Sequence, residues 1–290
     1  MSVRENIKQF VPEFLHPVLR PVARRFAESD RPRVPHTTFP LDQAKRDAIA
    51  SSLKLSKSST AKLADSASFP EIEELIRYWG IVRGITQVLG PYNPSDKYFD
   101  WSHFEEHMAR GLLDITKDLF VAWLSINKQP KVILEIGCRT GKSIATHLFV
   151  HPEPSSCTAV LIDLFVEMGS PEKILSNLRC LRISTHNVHP LVGYSETVFP
   201  QIISTFADLR FDYLLVDGSH RKEDALRDLR MVAPYVASGG YVLFDDIGLY
   251  GPGVGYGLID VWNVWKQEHE REFDFHEYHV PWGFAVARRK

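Results

Sequence analysis

The sequence is poor in cysteine, lacks long apolar runs and has almost no net charge. Three cysteines occur in 290 residues, and this small odd number without paired spacing excludes a disulfide framework and favours a reducing compartment. No apolar run approaches the roughly 20 residues that span a bilayer, and no apolar signal-type segment follows the first residues. A formal net charge of −2 gives no reason to expect nucleic acid as a partner. We therefore expect a cytoplasmic protein with no transmembrane segment and no nucleic-acid partner.

The first part of the chain differs in pattern from the rest, and we expect residues 1–110 to form an N-terminal arm and helical cap that mediates homo-oligomerisation. Residues 9–26 alternate apolar and basic side chains, with prolines that prevent one continuous helix. Two interpretations of this arm stay open: it packs on the body of the protein, or it makes a weak contact with a membrane surface. Residues 31–70 are rich in Pro, Ser, Thr and Lys and predict a loop, whereas the apolar spacing in residues 71–90 predicts a helix.

From about residue 130 onwards, short apolar runs alternate with helical stretches. Five such strand–helix units predict a parallel sheet with helices on both faces, and the runs are apolar throughout, as is typical of buried parallel strands. Two last runs flank Pro281 and Trp282 and predict an antiparallel edge. Residues 111–290 are therefore expected to form one α/β domain around a mostly parallel seven-stranded sheet. The predicted strands are 131–137, 158–163, 188–193, 211–218, 241–246, 273–280 and 283–289.

Acidic side chains concentrate at the ends of these predicted strands. Asp217 follows the fourth run, and Asp245 and Asp246 end the fifth. Glu135 and Asp163 stand near the ends of the first two runs. Because the carboxyl ends of parallel strands meet at one edge of a sheet, where ligands bind in such folds, we expect these side chains to surround one crevice.

The three aspartates at the fourth and fifth strand ends suggest a cation site. Asp217, Asp245 and Asp246 would raise each other's pKa unless a cation neutralised them. An all-oxygen set suits Mg²⁺ or another divalent ion. His220, three residues after Asp217, can take a proton near neutral pH. The alternative is that the three acids are solvated strand ends and that His220 lies at the surface or caps a helix.

A glycine-bracketed turn follows the first predicted strand. Gly137 and Gly141 allow a tight turn that a ligand can approach closely. The dinucleotide-binding fingerprint is excluded, because Arg139 replaces its middle glycine. Glu135 precedes the turn and favours a cationic ligand over a pyrophosphate, and Asp163 is placed to accept hydrogen bonds from a ribose diol.

In these features the sequence resembles the class I methyltransferases that use S-adenosylmethionine (SAM), whose fold is Rossmann-like, over about residues 110–290. Within them it is most similar to the metal-dependent O-methyltransferases, above all those of the macrocin and mycinamicin sugar type and more distantly the catechol type. The matching segments are 134-LEIGCRTGKS-143, 192-VGYSETVFPQI-202, 215-LVDGSHRKEDALRDL-229, 233-APYVASGGYVLFDDI-247 and 251-GPGVGYG-257.

The resemblance implies a role for each candidate residue. It implies that Asp217, Asp245 and Asp246 bind the divalent metal and that His220 is the general base. The catechol type usually has lysine at the position of the base and asparagine at the third ligand, so the His and Asp of this chain resemble the sugar-methylating type. The SAM-binding residues that it implies are Glu135, Gly137, Gly141, Ser143, Asp163 and Ser195. For Ser195, a helix N-cap also accounts for its position.

The resemblance further implies the reaction. We expect a SAM- and Mg²⁺-dependent O-methyltransferase of natural product biosynthesis that acts on a hydroxyl of a sugar, a glycoside or another small hydroxylated metabolite. Recognition of this acceptor is expected in the cap and in the 248–257 loop. Three alternatives stay open: a metal-independent class I methyltransferase, a hydroxylase-like relative of the same fold, and a non-catalytic SAM-binding relative.

Overall fold

A seven-stranded mixed sheet forms the centre of the protein. The structure, a computed structural model, describes residues 42–56, 69–89, 116–165, 169–248, 257–279 and 283–290. The strands are β1 (Val132–Ile136), β2 (Thr158–Asp163), β3 (Val188–Val192), β4 (Phe211–Val216), β5 (Val236–Asp245), β6 (Phe273–Tyr278) and β7 (Phe284–Arg289). Their order across the sheet is β3-β2-β1-β4-β5-β7-β6. Strands β1 to β5 pair in parallel, and β7 pairs antiparallel with both β5 and β6.

Helices cover both faces of this sheet. They are α1 (Gln43–Ser56), α2 (Ile72–Ile76), α3 (Trp79–Leu89), α4 (Thr116–Asn127), α5 (Lys142–Val150), α6 (Pro171–Cys180), α7 (Ser195–Thr205), α8 (Lys222–Val232) and α9 (Ile259–His269). Two short 3₁₀ turns lie at Pro154–Ser156 and Ala233–Tyr235. In the described part of the chain, no helix is both long and apolar enough to cross a membrane.

Two apolar cores lie on the opposite faces of the sheet because successive side chains of a strand point to opposite sides. Leu134 of β1 belongs to the core that contains Trp262 and Trp265 of α9, whereas its neighbour Ile133 belongs to the core that contains Phe120 of α4. All five residues of β1 are buried, as expected for a central parallel strand. The predicted fold class, a mostly parallel seven-stranded sheet with an antiparallel edge, is confirmed.

One helix lies where the composition predicted a loop. Within residues 31–70, the structure has α1, and its Ile49 and Leu53 are buried in the core beside α9. Ser52, between them, contacts Asn187 at 3.1 Å and His189 at 2.8 Å. The loop prediction was wrong for this segment because two apolar residues four positions apart bind it to the sheet, although polar residues dominate its composition.

The remaining expectations for the N-terminal part lie largely outside the described residues. The arm at 9–26 and most of the segments 31–70 and 98–126 belong to this group. The helix predicted over 71–90 is present as α2 and α3, which are separated at Arg77 and Tyr78. Homo-oligomerisation and membrane contact stay predictions.

Strand β5 is longer than the sequence predicted. It begins at Val236, before the predicted start at Tyr241, and includes Gly239 and Gly240. Gly239 has a φ of 74°, and the pairing of β4 with β5 shifts register between Phe211 and Tyr213. The glycine pair is thus an irregularity within the strand, and glycine permits the positive φ.

Asp212, the second residue of β4, fastens β4 to the start of β1. Its Oδ2 accepts backbone N–H groups from Lys131 at 2.8 Å and from Val132 at 3.0 Å. Asp212 is buried, and burial raises its pKa, although both hydrogen bonds oppose this effect. Two buried N–H donors therefore depend on one carboxylate.

We expect Asp212→Ala to lower the free energy of unfolding by about 2–4 kcal/mol, because both N–H groups lose their acceptor in a buried place. Asp208→Ala is the matched control, since Asp208 is exposed in the turn before β4 and its loss should cost less than about 0.5 kcal/mol. Urea denaturation measures both. Equal stability of the two variants would contradict this role of Asp212.

Candidate functional site

The predicted acidic strand ends meet at one edge of the sheet. Asp217 follows β4 directly, Asp245 is the last residue of β5, and Asp246 comes next. Asp245 and Asp246 are both buried. Because β4 and β5 are adjacent and parallel, these carboxylates lie side by side, as the sequence predicted.

The adjacent aspartates Asp245 and Asp246 have different partners. Asp246 has a φ of 59°, a left-handed conformation that is uncommon for a residue other than glycine. This backbone turn ends β5 between the two residues. Asp245 Oδ2 accepts a hydrogen bond from Lys117, whereas Asp246 Oδ2 lies 2.8 Å from Nε2 of His220. A strained backbone that persists in this way is typical of functional sites.

Lys117 supplies a buried cation that the sequence analysis did not find. It is the second residue of α4 and is only 6% exposed. Its Nζ lies 2.5 Å from Asp217 Oδ2 and also donates a hydrogen bond to Asp245. Burial alone would raise the pKa of Asp217, but the neighbouring cations, with Lys117 the strongest, outweigh it and lower that pKa. Lys117 thus neutralises one of the three negative charges and leaves two.

A second group of side chains lies on the other side of this ion pair. Asp217, His220 and Asp246 each offer one ligand atom, and these atoms all lie within 4.8 Å of one another. Burial raises the pKa of Asp246, while the hydrogen bond from His220 opposes this rise. We call Asp217, His220 and Asp246 the acidic cluster.

The acidic cluster fits a divalent cation. Two carboxylates and an imidazole are ligands that such ions accept, and the two negative charges left by Lys117 match one divalent charge. Asp245, the third predicted ligand, is not a member of this group, and its Oδ2 bonds Lys117. Metal binding by Asp217, Asp245 and Asp246, and the role of His220 as general base, stay predictions.

The glycine-bracketed turn adjoins the acidic cluster through direct backbone contact. Gly137 has a φ of 84°, and a Cβ there would lie 1.9 Å from the carbonyl oxygen of Asp217. Gly141 has a φ of 76°, and its Cβ would lie 2.9 Å from the Ile174 side chain. Both glycines are therefore required by close packing within the protein itself. This packing holds the turn against the loop that carries Asp217.

Asp163 orders the same turn from the end of β2. Its Oδ2 accepts the backbone N–H of Arg139 at 2.7 Å, and its Oδ1 accepts that of Phe165 at 2.7 Å. Each carboxylate oxygen has a further lone pair, so these bonds leave acceptor capacity for a ligand hydroxyl. Glu135, at the end of β1, is buried and its pKa is raised mainly by burial. A cationic ligand beside Glu135 would favour its charged form.

Asp118 joins helix α4 to the start of α5. Its carboxylate lies 2.8 Å from Lys142 Nζ, and its Oδ1 accepts a hydrogen bond from Ser143 Oγ at 3.1 Å. All three side chains are buried. Ser143 was predicted to contact the cofactor, and the structure places it at the start of α5, directly after the glycine-bracketed turn. One signal could have identified Lys117 and Asp118 from the sequence: two opposite charges open the otherwise apolar helix 116-TKDLFVAWL-124.

Ser195 lies at the start of α7, but it is not the N-cap. The N-cap residue is Tyr194, and the Ser195 hydroxyl donates a hydrogen bond to Asp228 Oδ1 at 2.6 Å. Burial raises the pKa of Asp228 to about 6. The alternative of a capping serine was therefore wrong, and its contact with a cofactor stays a prediction.

Comparison with known proteins gives a family match over the central part of the chain. Residues 134–247, which contain the turn and all three aspartates, match the family described as a methyltransferase domain. The match agrees with the prediction that the chain is an enzyme of the methyltransferase class.

One curated relative and several solved structures are similar to the chain. "Uncharacterized protein R132" of Acanthamoeba polyphaga mimivirus is 33% identical over 87 residues, which are 29% of this chain and 38% of that protein. The match therefore spans well under half of that relative.

The O-methyltransferase TomG of Streptomyces achromogenes, solved with SAM, has 18% identity and a TM-score of 0.49 over 77% of this chain and 100% of its own. An O-methyltransferase of Bacillus cereus, solved with SAH, has 14% identity and a TM-score of 0.48 over 81% of this chain and 100% of its own. Identities this low indicate neither an acceptor nor a metal for this chain.

We expect Lys117→Met to lower the free energy of unfolding at pH 7 by about 3–5 kcal/mol, because Asp217 and Asp245 lose their buried counter-ion. The difference from wild type should shrink as the pH falls and the carboxylates become protonated, and millimolar Mg²⁺ should recover part of it. Lys131→Met is the control: Lys131 pairs at 2.9 Å with the exposed Glu153, a pair worth no more than about 1 kcal/mol. A Lys117→Met protein as stable as wild type would contradict the assignment.

Asp228 predicts a pH dependence of stability. The folded state raises its pKa from 3.8 to about 6, so its contribution to stability is full below about pH 4 and is lost as the pH rises through about 6. Asp228→Asn removes this dependence and keeps an acceptor for Ser195. Relative to wild type, the variant should therefore gain about 3 kcal/mol between pH 4 and pH 7. Urea denaturation at several pH values, with the exposed Asp208→Asn as control, tests this; parallel pH curves would contradict it.

Proposed function

We propose that the protein is a SAM-dependent O-methyltransferase that methylates a hydroxyl of a small metabolite such as a sugar or glycoside. One observation carries this proposal: Asp217, His220 and Asp246 converge within 4.8 Å at the edge of the sheet, against the glycine-bracketed turn in the segment that matches the methyltransferase family. A turn of this type supports SAM as the cofactor, and the acidic cluster beside it offers a group that can accept the proton of a hydroxyl.

In this reaction the acceptor oxygen attacks the methyl carbon of SAM. The carbon–sulfur bond breaks, the sulfur keeps its electron pair as the neutral thioether of S-adenosylhomocysteine, and the hydroxyl proton must leave. Because the sulfonium is already an activated leaving group, the protein mainly has to position the acceptor and remove this proton. No further oxidant or reductant is required.

His220 is the proposed proton acceptor. Its Nε2 lies 2.8 Å from Asp246 Oδ2. If Nε2–H donates to this carboxylate, the ring is fixed in orientation and Nδ1 is the nitrogen that can accept the proton. The negative charge of Asp246 would then stabilise the imidazolium that forms, as a carboxylate does in other histidine–aspartate pairs.

The metal-dependent route uses the same residues. Asp217 and Asp246 would hold a divalent cation, which when bound would make a neighbouring hydroxyl more acidic. The acidic cluster supports this route by its ligand types, and the three aspartates together keep a net negative charge after pairing with Lys117. Asp245, predicted as the third ligand, could join only by exchanging its hydrogen bond with Lys117.

The metal-independent route has one specific observation in its favour. Lys117 bridges Asp217 and Asp245 from within the protein, so these two predicted ligands share one counter-ion without any metal. His220 and Asp246 would then remove the proton alone.

Four further expectations accompany the proposed methyltransferase function, whichever route it follows. They are a cytoplasmic location, a homo-oligomer, contact of the N-terminal arm with a membrane surface, and a role in natural product biosynthesis.

We expect His220→Gln to lower kcat by about 10²–10⁴-fold with SAM and a panel of sugar and phenolic hydroxyl acceptors, because the general base is lost. Binding of SAM by calorimetry should change by no more than a few-fold, since the turn is unaffected. His279→Gln is the matched control, because His279 is exposed beyond β6. Release of S-adenosylhomocysteine measures turnover.

A chelator distinguishes the two routes in the same assay. Loss of turnover with EDTA and its return with Mg²⁺ would establish the metal-dependent route, and unchanged turnover would establish the metal-independent one. Full turnover of His220→Gln would overturn the proposed base. SAM binding without transfer to any acceptor would support a non-catalytic relative, and acceptor-dependent oxygen consumption would support a hydroxylase-like one.

A further inference from the structure

A second cluster of metal-binding residue types lies at the opposite edge of the sheet from the acidic cluster. His147 is in the last turns of α5, His151 directly follows this helix, and Cys157 directly precedes β2. Each offers one ligand atom, and these atoms all lie within 4.8 Å of one another. The three side chains are 0–4% exposed. The proposed methyl transfer uses none of them.

The hydrogen bonds of His147 leave one ring nitrogen available. The Ser125 hydroxyl donates its proton to the carbonyl oxygen of Val121 at 2.5 Å. At its contact of 2.6 Å with His147 Nδ1, the same hydroxyl must therefore accept, so Nδ1 carries the ring proton. Nε2 then has a lone pair that a cation could bind, and the ring is also hydrogen-bonded to the backbone of Pro130. Burial lowers the pKa of His147 to about 3, so the ring is neutral.

His151 and Cys157 complete the group. The ring of His151 is likewise buried and is hydrogen-bonded to the backbone of Gln129 and Glu153, and its centroid lies 5.3 Å from that of His147. The Cys157 thiol contacts the carbonyl oxygens of Glu153 and Pro130 at 3.7 and 3.8 Å. Two imidazoles and one thiol that converge in a buried place match the ligand set of a transition-metal site.

We propose that His147, His151 and Cys157 bind a structural zinc-type cation. Two imidazole nitrogens and one thiolate are ligands that Zn²⁺ prefers, and histidines four residues apart reach the same side of a helix turn. Mg²⁺ and Ca²⁺ prefer oxygen ligands and are not expected here. The three protein ligands leave one tetrahedral position for a water molecule or a backbone carbonyl.

Binding requires two protons to move. Cys157 gives its thiol proton to solvent and binds as thiolate. His151 Nδ1 now accepts the backbone N–H of Glu153 at 3.0 Å, so in the neutral ring Nε2 carries the proton. Coordination through Nε2 would transfer that proton to Nδ1 and release the N–H of Glu153, which is exposed and can bond water instead. Hydrogen bonds of the His151 ring with the backbone of Gln129 and Glu153 are thus exchanged for a metal–nitrogen bond.

The cation would join the end of α5 to the start of β2. Helix α5 begins at the glycine-bracketed turn, which contains the proposed SAM site, so the metal would stabilise this helix from the end remote from the cofactor. The cation should therefore affect stability more than turnover.

Cobalt provides the direct test, because a Co²⁺–thiolate bond gives a charge-transfer absorption that carboxylate and imidazole ligands alone do not give. The reduced full-length protein, with excess Mg²⁺ to occupy the acidic cluster, is titrated with Co²⁺. We expect the thiolate band to saturate at a single equivalent, and Zn²⁺ to abolish it by displacement. Zn²⁺ should also raise the melting temperature.

Cysteine variants identify the ligand. Cys157→Ser should lose the band and bind Co²⁺ at least about 100-fold more weakly. Losing a hydrogen bond to a metal ligand already weakens binding about 10–100-fold, and losing the ligand itself should cost more. Cys180→Ser is the matched control, because Cys180 is exposed, and it should retain the band. His151→Asn should lose the zinc-dependent rise in melting temperature.

Two results would overturn the proposal, each obtained on protein shown to be folded by circular dichroism. One is a folded wild-type protein, by circular dichroism, that shows no thiolate band at saturating Co²⁺. The other is a band that persists in Cys157→Ser, which would assign the thiolate to Cys138 or Cys180 instead. Neither result bears on the proposed methyl transfer, which is measured separately.

Discussion

The ion pairs of Lys117 with Asp217 and Asp245 are the interaction on which the functional edge of the sheet depends. Parallel strands bring their carboxyl ends together, and in this protein three of the residues there are buried or half-buried aspartates. Such a group is stable only if cations offset its charge. Lys117 provides one positive charge from within the chain, so the fold can form this edge before any metal or substrate binds.

Helix α4 therefore belongs to the functional site as well as to the core. Lys117 contacts the acids after β4 and β5, while the next residue, Asp118, contacts Lys142 and Ser143 at the start of α5. Lys117 has two acidic partners and Asp118 pairs with Lys142, so a displacement of α4 would disturb five charges together. Two consecutive residues of this helix thus connect the proposed acceptor site with the proposed cofactor site.

The sequence predicts the sheet and the acidic edge because both follow from local patterns. Apolar runs define parallel strands, and an acid directly after a run must lie at the carboxyl edge. The partner of these acids could not be predicted this way, because Lys117 and Asp217 are 100 residues apart and meet only in the folded chain. The different partners of Asp245 and Asp246 likewise depend on one left-handed residue that no periodicity reveals. Helix α1 was missed because its contact with the sheet rests on two apolar residues.

The charge that remains after Lys117 also constrains the proposed chemistry. Before transfer, SAM contributes one positive charge at its sulfonium, and the acceptor hydroxyl is neutral. After transfer, both products are neutral at the reacting atoms, and His220 would hold the released proton as a cation. The total charge facing Asp217 and Asp246 is therefore the same before and after the reaction. A site whose fixed negative charge suits the substrate complex therefore suits the product complex too. Asp217 and Asp246 then need not rearrange during the chemical step. Charged groups that are already in place stabilise a reaction efficiently, because no energy is spent on reorganising them.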